Sequence, residues 1–450
     1  MKPTIGYRIL IALLVSLIFT GSFIAHMPIE IQERIFGKTI IQEPLYSDAT
    51  TDMYKSLFLS DSVCKAYSSE SESTGAGFYP DSAKRFCIGE DFFPLPLRDY
   101  RFAYPPLTIG LWLIPTYLTY ITVKHSVGTN PLATIDAYMT FYFINSFLLF
   151  LVIMVSTQIV VSLLKNVYGG NDRKYSALLI GIATPSMLVY LLHGYDIYAQ
   201  LLTVLGLYMF SKKRYGLSSL MFGLAGCISP YVLVLVIPLL FFLYRKSMFN
   251  SLLYSILGFL GGLTPYLILY VLSPASAMKM LNNIFLGYCN NCIYLLLFHS
   301  IWSDYGRAFS IAIITFFTLF IMSLKSKRSL EGEISRFILL LTFTILFSYS
   351  FPPQVFLLVL PLLVVFSSSN IRVLVSLLLA DTLNALIIPL WFKDYEIREI
   401  LVKYINIPLQ YSPWTLDSPI QWIAQLRNLI LFIVLLAITT EYLMLGDYGE

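Results

Sequence analysis

LPLRDYRFAYPPL, residues 95–107, stands where a long polar segment runs back into an apolar helix. Proline is tolerated in the first turn of a helix and holds the residue before it extended. Tyr104-Pro105-Pro106 therefore predicts a helix start, with the strip Arg98–Tyr104 stretched along the surface that the helix enters. Arg98 and Arg101, with Asp99 between them, are then placed to meet lipid phosphate. The plainer reading is a structural turn anchored by Arg and Tyr. Upstream, the polar segment 25–103 carries YSDATTDMY at 46–54, a small acidic cluster some twenty residues past the first apolar helix.

Composition says what such a surface borders. Of 450 residues 57% are hydrophobic and 12% charged. A soluble domain carries about 25% charged residues, so this is a membrane chain. A net charge of +4, dispersed along the sequence, does not point to nucleic acid. The 32 Tyr and 33 Phe suit membrane interfaces and helix packing alike. Lys2 and Arg8 precede an apolar run from Ile9 to Ala25. A cleaved signal peptide is the alternative, but Ile24-Ala25-His26 is a poor cleavage site, so an uncleaved first helix is expected. With its basic end inside, segment 25–103 lies outside the cytoplasm.

Apolar segments fall near 7–25, 105–123, 134–164, 175–192, 196–211, 217–244, 251–272, 307–324, 334–350, 353–369, 371–390 and 426–446. These give about twelve helices if each crosses once. Simple alternation puts Lys165–Lys174 and Lys212–Arg214 outside, against the positive-inside tendency. A rival layout breaks 217–244 at Ser229-Pro230 and makes 105–123 re-entrant. Both agree on outer loops 25–103, 273–306 and 391–425, and they disagree on the side that holds the turn His193-Gly194-Tyr195-Asp196. No internal repeat is visible. The expectation is one all-α polytopic membrane domain over 1–450, with a large first outer loop too short to be an obvious domain of its own.

Asp48 and Asp52 stand i, i+4, which on a helix puts both carboxylates on one face. A carboxylate at a membrane surface can take a proton from an attacking hydroxyl, although two acids in a polar loop are commonly just solvated. His193 and Asp196 bracket a Gly-Tyr turn. Asp381 and Asn384 sit mid-helix, where ionisable groups are functional candidates by default and a hydrogen-bonded structural pair is the alternative. Loop 273–306 carries Lys279, His299, Asp304 and Arg307, and Ser350-Phe351-Pro352-Pro353-Gln354 makes another sharp break. Cys64 and Cys87 share the first outer segment, where a disulfide is permitted. Cys289-Asn-Asn-Cys292 has only His299 near it, so a disulfide or free thiols are favoured over zinc.

Taken in order, these segments resemble the membrane-embedded glycosyltransferases of the GT-C fold, closest to the family 87 mannosyltransferase-like proteins common in archaea. The matching elements are Ser47-Asp48 through Tyr54, the strip Pro96–Leu107, the turn Gly194-Tyr195-Asp196, the basic loop and proline-broken helix Lys212–Pro230, and the turn Ser350–Gln354. The similarity spans most of the chain, and its specificity lies in the order of short motifs. Three positions depart: Ala103 replaces a glutamate, Ser229 a lysine and Tyr195 a glutamine. These bear on substrate choice and on activity itself.

The resemblance implies a GT-C-like bundle of about 12 transmembrane helices in the cell membrane, with its active site on the extracytoplasmic side. It implies a polyprenyl (dolichyl) phosphate sugar donor, a glycan or lipid acceptor and no metal or other cofactor. Asp48 is then the general base, with Asp52 in reserve. The donor phosphate and sugar fall to Arg98, Asp99, Arg101, Tyr104, His299, Arg307 and Gln354, with His193, Asp196 and Asp381 as secondary candidates. Two other readings stay open. One is an inactive relative kept as an assembly subunit. The other is a transporter using Asp381, Asn384 and His193, although a transporter is expected to show internal symmetry.

Overall fold

The computed structural model describes residues 3–59, 78–90, 92–100, 104–123, 130–169, 171–324, 329–393, 397, 399, 403–404, 416 and 418–441. Asp52 is described in backbone only, and Arg101 lies outside the described residues.

The chain is an all-helical, polytopic membrane protein. Seven described helices are long and apolar enough to cross a bilayer: Ile5–Ala25, Pro106–Val123, Ile135–Tyr168, Phe249–Leu272, Asp304–Ser323, Ile371–Trp391 and Pro419–Thr439. They turn Leu13, Leu17, Leu267, Val271, Phe316 and Leu319 outward. Such a surface is stable against lipid and costly against water.

In chain order, α1 (Pro3–Ala25) leads to the amphipathic α2 (Ile29–Phe36) and to α3 (Asp48–Leu59), a wide π-type helix. Next come α4 (Pro80–Cys87), α5 (Pro106–Val123) and α6 (Ile135–Tyr168). A broken pair α7 (Asp172–Ile182) and α8 (Pro185–Tyr190) precedes α9 (Asp196–Ser211) and α10 (Tyr215–Gly226). The expected break at Ser229-Pro230 is present as a 3-10 turn, Pro230–Leu235, before α11 (Val236–Arg245). Then follow α12 (Phe249–Gly262), α13 (Thr264–Leu272), α14 (Pro274–Phe285), the short α15 (Leu295–Phe298) and α16 (Asp304–Ser323). The last elements are α17 (Leu330–Leu346), a 3-10 turn Pro353–Leu358, α18 (Leu360–Ser367), α19 (Ile371–Trp391) and α20 (Pro419–Thr439).

Two ends of the bundle are distinct. At one, Arg8 donates to Ser162, Lys212 to Asn166, Lys174 to Val365 O and Arg173 to Ser369 O. This basic end also holds Lys213, Arg245 and Lys246 around one pocket. At the other end lie Asp48 and the His193–Asp196 turn. Helix α5 has both of its ends at the Asp48 end. Leu107 N donates to Cys227 O at its start, and the Tyr117 and Tyr120 rings pack 5.3 Å from Phe93 near its finish. Arg173, Lys174 and Lys212 thus join the other described cations at one end.

Packing is tightest where α10 crosses α12. A Cβ on Gly223 would sit 2.9 Å from Gly262 Cα, so only glycine allows that approach.

Candidate active site

The chain leaves α1, turns through His26 and comes back beside its own start, with Leu45 N donating to Ala25 O at 2.7 Å. The next three residues lie against the turn that precedes α9. The Ser47 hydroxyl donates to Leu192 O at 2.8 Å, 145 residues away, and Asp48 N to His193 O at 2.7 Å. His193 Nδ1 answers by donating to Tyr46 O at 3.0 Å. Buried backbone groups must be paired, and these bonds fix segment 46–48 on segment 192–193.

The Asp48 carboxylate is 28% exposed, with Oδ2 3.6 Å from His193 Nε2. A Cβ built on Gly194 would lie 3.6 Å from Asp48 Oδ2 and 4.0 Å from Asp196 Oδ2. The bare face of this glycine thus forms the floor between two carboxylates. Burial, and after it the neighbouring Asp48, push Asp196 up to about 6, against the opposing pull of His193, the Ser229 hydroxyl and its own amide.

Other segments converge here. Tyr231, just past the Ser229-Pro230 break, donates to Ser350 O at 2.7 Å. Tyr288 feels Asp48: burial first, and then that negative charge, raise its phenol. A pocket of about 370 Å³ lies on the far side of Tyr46, lined also by His26, Glu30, Lys55, Phe392 and Lys393.

Of the residues singled out from sequence, Asp48, His193 and Asp196 meet. Within the strip Arg98–Tyr104, residues Arg98–Tyr100 do not run stretched, and 101–103 lie outside the described residues. Leu97 adopts φ 69°, Leu97 N donates to Tyr100 O, and the chain folds into a tight turn. Asp99 is the reason. Its buried carboxylate accepts from Leu95 N at 2.7 Å, the Ser82 hydroxyl at 2.9 Å and the Arg98 guanidinium at 2.8 Å. Burial alone would raise Asp99, but these donors hold it below the usual carboxylate range. Tyr104 is half-buried just before α5. Arg98 is thereby committed to Asp99, and the strip connects to the Gly194 turn through Tyr100, which lies within electrostatic reach of Tyr195.

The rest are scattered. Arg307 binds Asp304 at 2.5 Å and Leu286 O at 2.9 Å. His299 is exposed at the end of α15, and Gln354 is half-buried in the turn Pro353–Leu358. Asp381 is buried against Ser186, whose amide donates to it at 3.3 Å. Among the described residues, no group of three or more His, Cys, Asp and Glu is set to hold a metal ion.

Sequence reasoning passed over Arg427. It is fully buried in α20, where its guanidinium donates to Asn384 Oδ1 at 2.7 Å and Asn428 Oδ1 at 2.8 Å. It stacks 3.8 Å over the Phe351 ring. Asn384 in turn donates to Pro353 O, and Asn428 to Asn291 O. Asn291 lies between Cys289 and Cys292, which form a disulfide. A lone Arg at the start of the apolar run 426–446 was the available signal. Cys87 is also disulfide-bonded, with its partner outside the described residues.

No protein-family model matches the chain, and no curated protein matches it.

Proposed function

We propose that this chain is an integral membrane glycosyltransferase. It moves a hexose, mannose-like, from a polyprenyl phosphate donor to a hydroxyl acceptor, with inversion at the anomeric carbon. Asp48 is the general base, and the fold expected from the resemblance is GT-C-like. One observation carries the reading: Ser47-Asp48 is bonded to Leu192 and His193, which lead directly into the turn Gly194–Asp196, and Ser229 adjoins Asp196. Motifs that resemble a glycosyltransferase family only by their order in sequence thus share one site. The basic end lies opposite, so the positive-inside tendency favours an extracytoplasmic Asp48 end.

In this mechanism the acceptor hydroxyl attacks the anomeric carbon as the bond from that carbon to the phosphate oxygen breaks. Asp48 takes the hydroxyl proton, and the electron pair of the broken bond leaves with the lipid phosphate. A general base of this kind contributes roughly 10²- to 10⁴-fold.

A second reading is favoured by Ser229, which places a hydroxyl beside Asp196 where the family carries lysine. In it the chain is an inactive relative that serves as an assembly subunit. Purified protein in lipid, given radiolabelled dolichyl-phosphate mannose or glucose and a membrane extract as acceptor, separates the two. Transfer by wild type that Asp48→Asn abolishes supports the enzyme. Folded protein that transfers neither sugar supports the subunit.

A further inference from the structure

We propose that His193 is the positioning partner of Asp48 and receives the proton that Asp48 removes. The inference rests on the reading of Asp48 as general base.

His193 is 2% exposed and held from several sides. Its ring lies between the rings of Tyr46, 5.6 Å away, and Tyr190, 5.7 Å away and perpendicular. Tyr190 is itself fixed by donating to Asn384 O at 2.6 Å. The ring therefore has one orientation. Nδ1 faces the Tyr46 carbonyl at 3.0 Å, and a carbonyl oxygen can only accept, so Nδ1 carries a hydrogen. In the neutral ring the lone pair then sits on Nε2, the atom that faces Asp48 Oδ2 at 3.6 Å. Nε2 is therefore the ring atom that can take up a proton delivered by Asp48.

The groups around the ring favour this assignment. Asp48 faces it from α3, Asp196 from the start of α9, Tyr190 from α8, Tyr46 from the preceding loop and His26 from the end of α1. Burial pushes His26 down to about 4, so it stays neutral and does not oppose a cation on His193. Asp48 lies on the side of the ring that would gain the charge, and Asp196 is within electrostatic reach of the ring.

The step balances. The acceptor O–H breaks, and its electron pair forms the new glycosidic bond while its proton moves to Asp48. The Asp48 O–H then gives the proton to Nε2, leaving a carboxylate and an imidazolium. The Nδ1–H stays on Tyr46 O throughout.

The test uses full-length protein in bilayers with ¹⁵N-labelled histidine. The chain has four histidines, so His193 is assigned by the signals lost in His193→Asn. That variant keeps a donor for Tyr46 O and removes the acceptor at Nε2. Solid-state NMR at pH 6 is compared between wild type and Asp48→Asn. The expected result is a displaced His193 Nε2 resonance, with Nδ1 and the other histidines unmoved. In the transfer assay, His193→Asn should lower kcat at least about tenfold with the donor KM unchanged. An Nε2 resonance indifferent to Asp48→Asn overturns the proposal, and so does a displaced resonance with full kcat in His193→Asn. A wild type that transfers no sugar defeats the glycosyltransferase reading instead, and the NMR comparison still decides whether the Asp48 carboxylate acts on Nε2.

Discussion

Asp48 N donates to His193 O at 2.7 Å, so the backbone of the candidate base hangs on the turn that carries the second carboxylate. That bond does not involve the Asp48 side chain. Asp48→Asn, nearly the same shape, should therefore leave the folding stability within about 0.5 kcal/mol of wild type. Transfer should fall by 10²-fold or more, on the order of a lost general base. Parallel loss of fold and activity would contradict the assignment.

Gly194 leaves open the space that both carboxylates border. In Gly194→Ala the new methyl sits 3.6 Å from Asp48 Oδ2, an ordinary contact that requires no backbone movement. The protein should fold normally, and the acceptor KM should rise because the methyl occupies part of the site. Steady-state kinetics beside a melting curve would check this.

Asp196 predicts a pH-dependent stability. Its folded value of about 6 lies above the ordinary 3.8, so the folded state holds this proton more tightly than the unfolded chain does. The penalty for ionising it is absent below the ordinary value, grows as pH rises toward 6 and is complete above it. Asp196→Asn should thus stabilise the protein at pH 8 by on the order of 2 kcal/mol and change little at pH 4. Equal effects at both pH values would rule this account out.

Arg427 holds together α19, α20 and the disulfide loop through Asn384, Asn428 and Asn291. Arg427→Met should cost about 3–5 kcal/mol, because those amides lose their donor in a buried place. Arg427→Lys should cost less, yet one ammonium cannot reproduce the fork. Unfolding in detergent measures both.

Removing the Cys289–Cys292 disulfide closes the set. The loop it closes is short, so the double serine variant should lose no more than about 2 kcal/mol of stability. Tyr288 precedes the loop and reaches Asp48, so kcat should fall further than stability does. Retained kcat would show that the loop does not place Tyr288.

The sequence alone determined the membrane character, most helix positions and the helix start at Pro106, and it offered the break at Ser229-Pro230 as one of two layouts. Each follows from composition, hydrophobic run length or proline geometry, which act over a few residues and need no partner. It also marked Asp48, His193 and Asp196 as chemically able residues. Only the tertiary structure decided that these three meet, because pairing segments 145 residues apart depends on how helices pack, not on local pattern. The same cause explains Arg98–Tyr100, the described start of the strip before Pro105. Proline predicts an extended chain, but the buried Asp99 gathers three donors and bends it. It explains Arg427 as well, whose four-partner setting joins residues from three separate stretches of the chain. A buried charge is tolerable only once such partners are assembled around it, and that assembly is a property of the folded bundle.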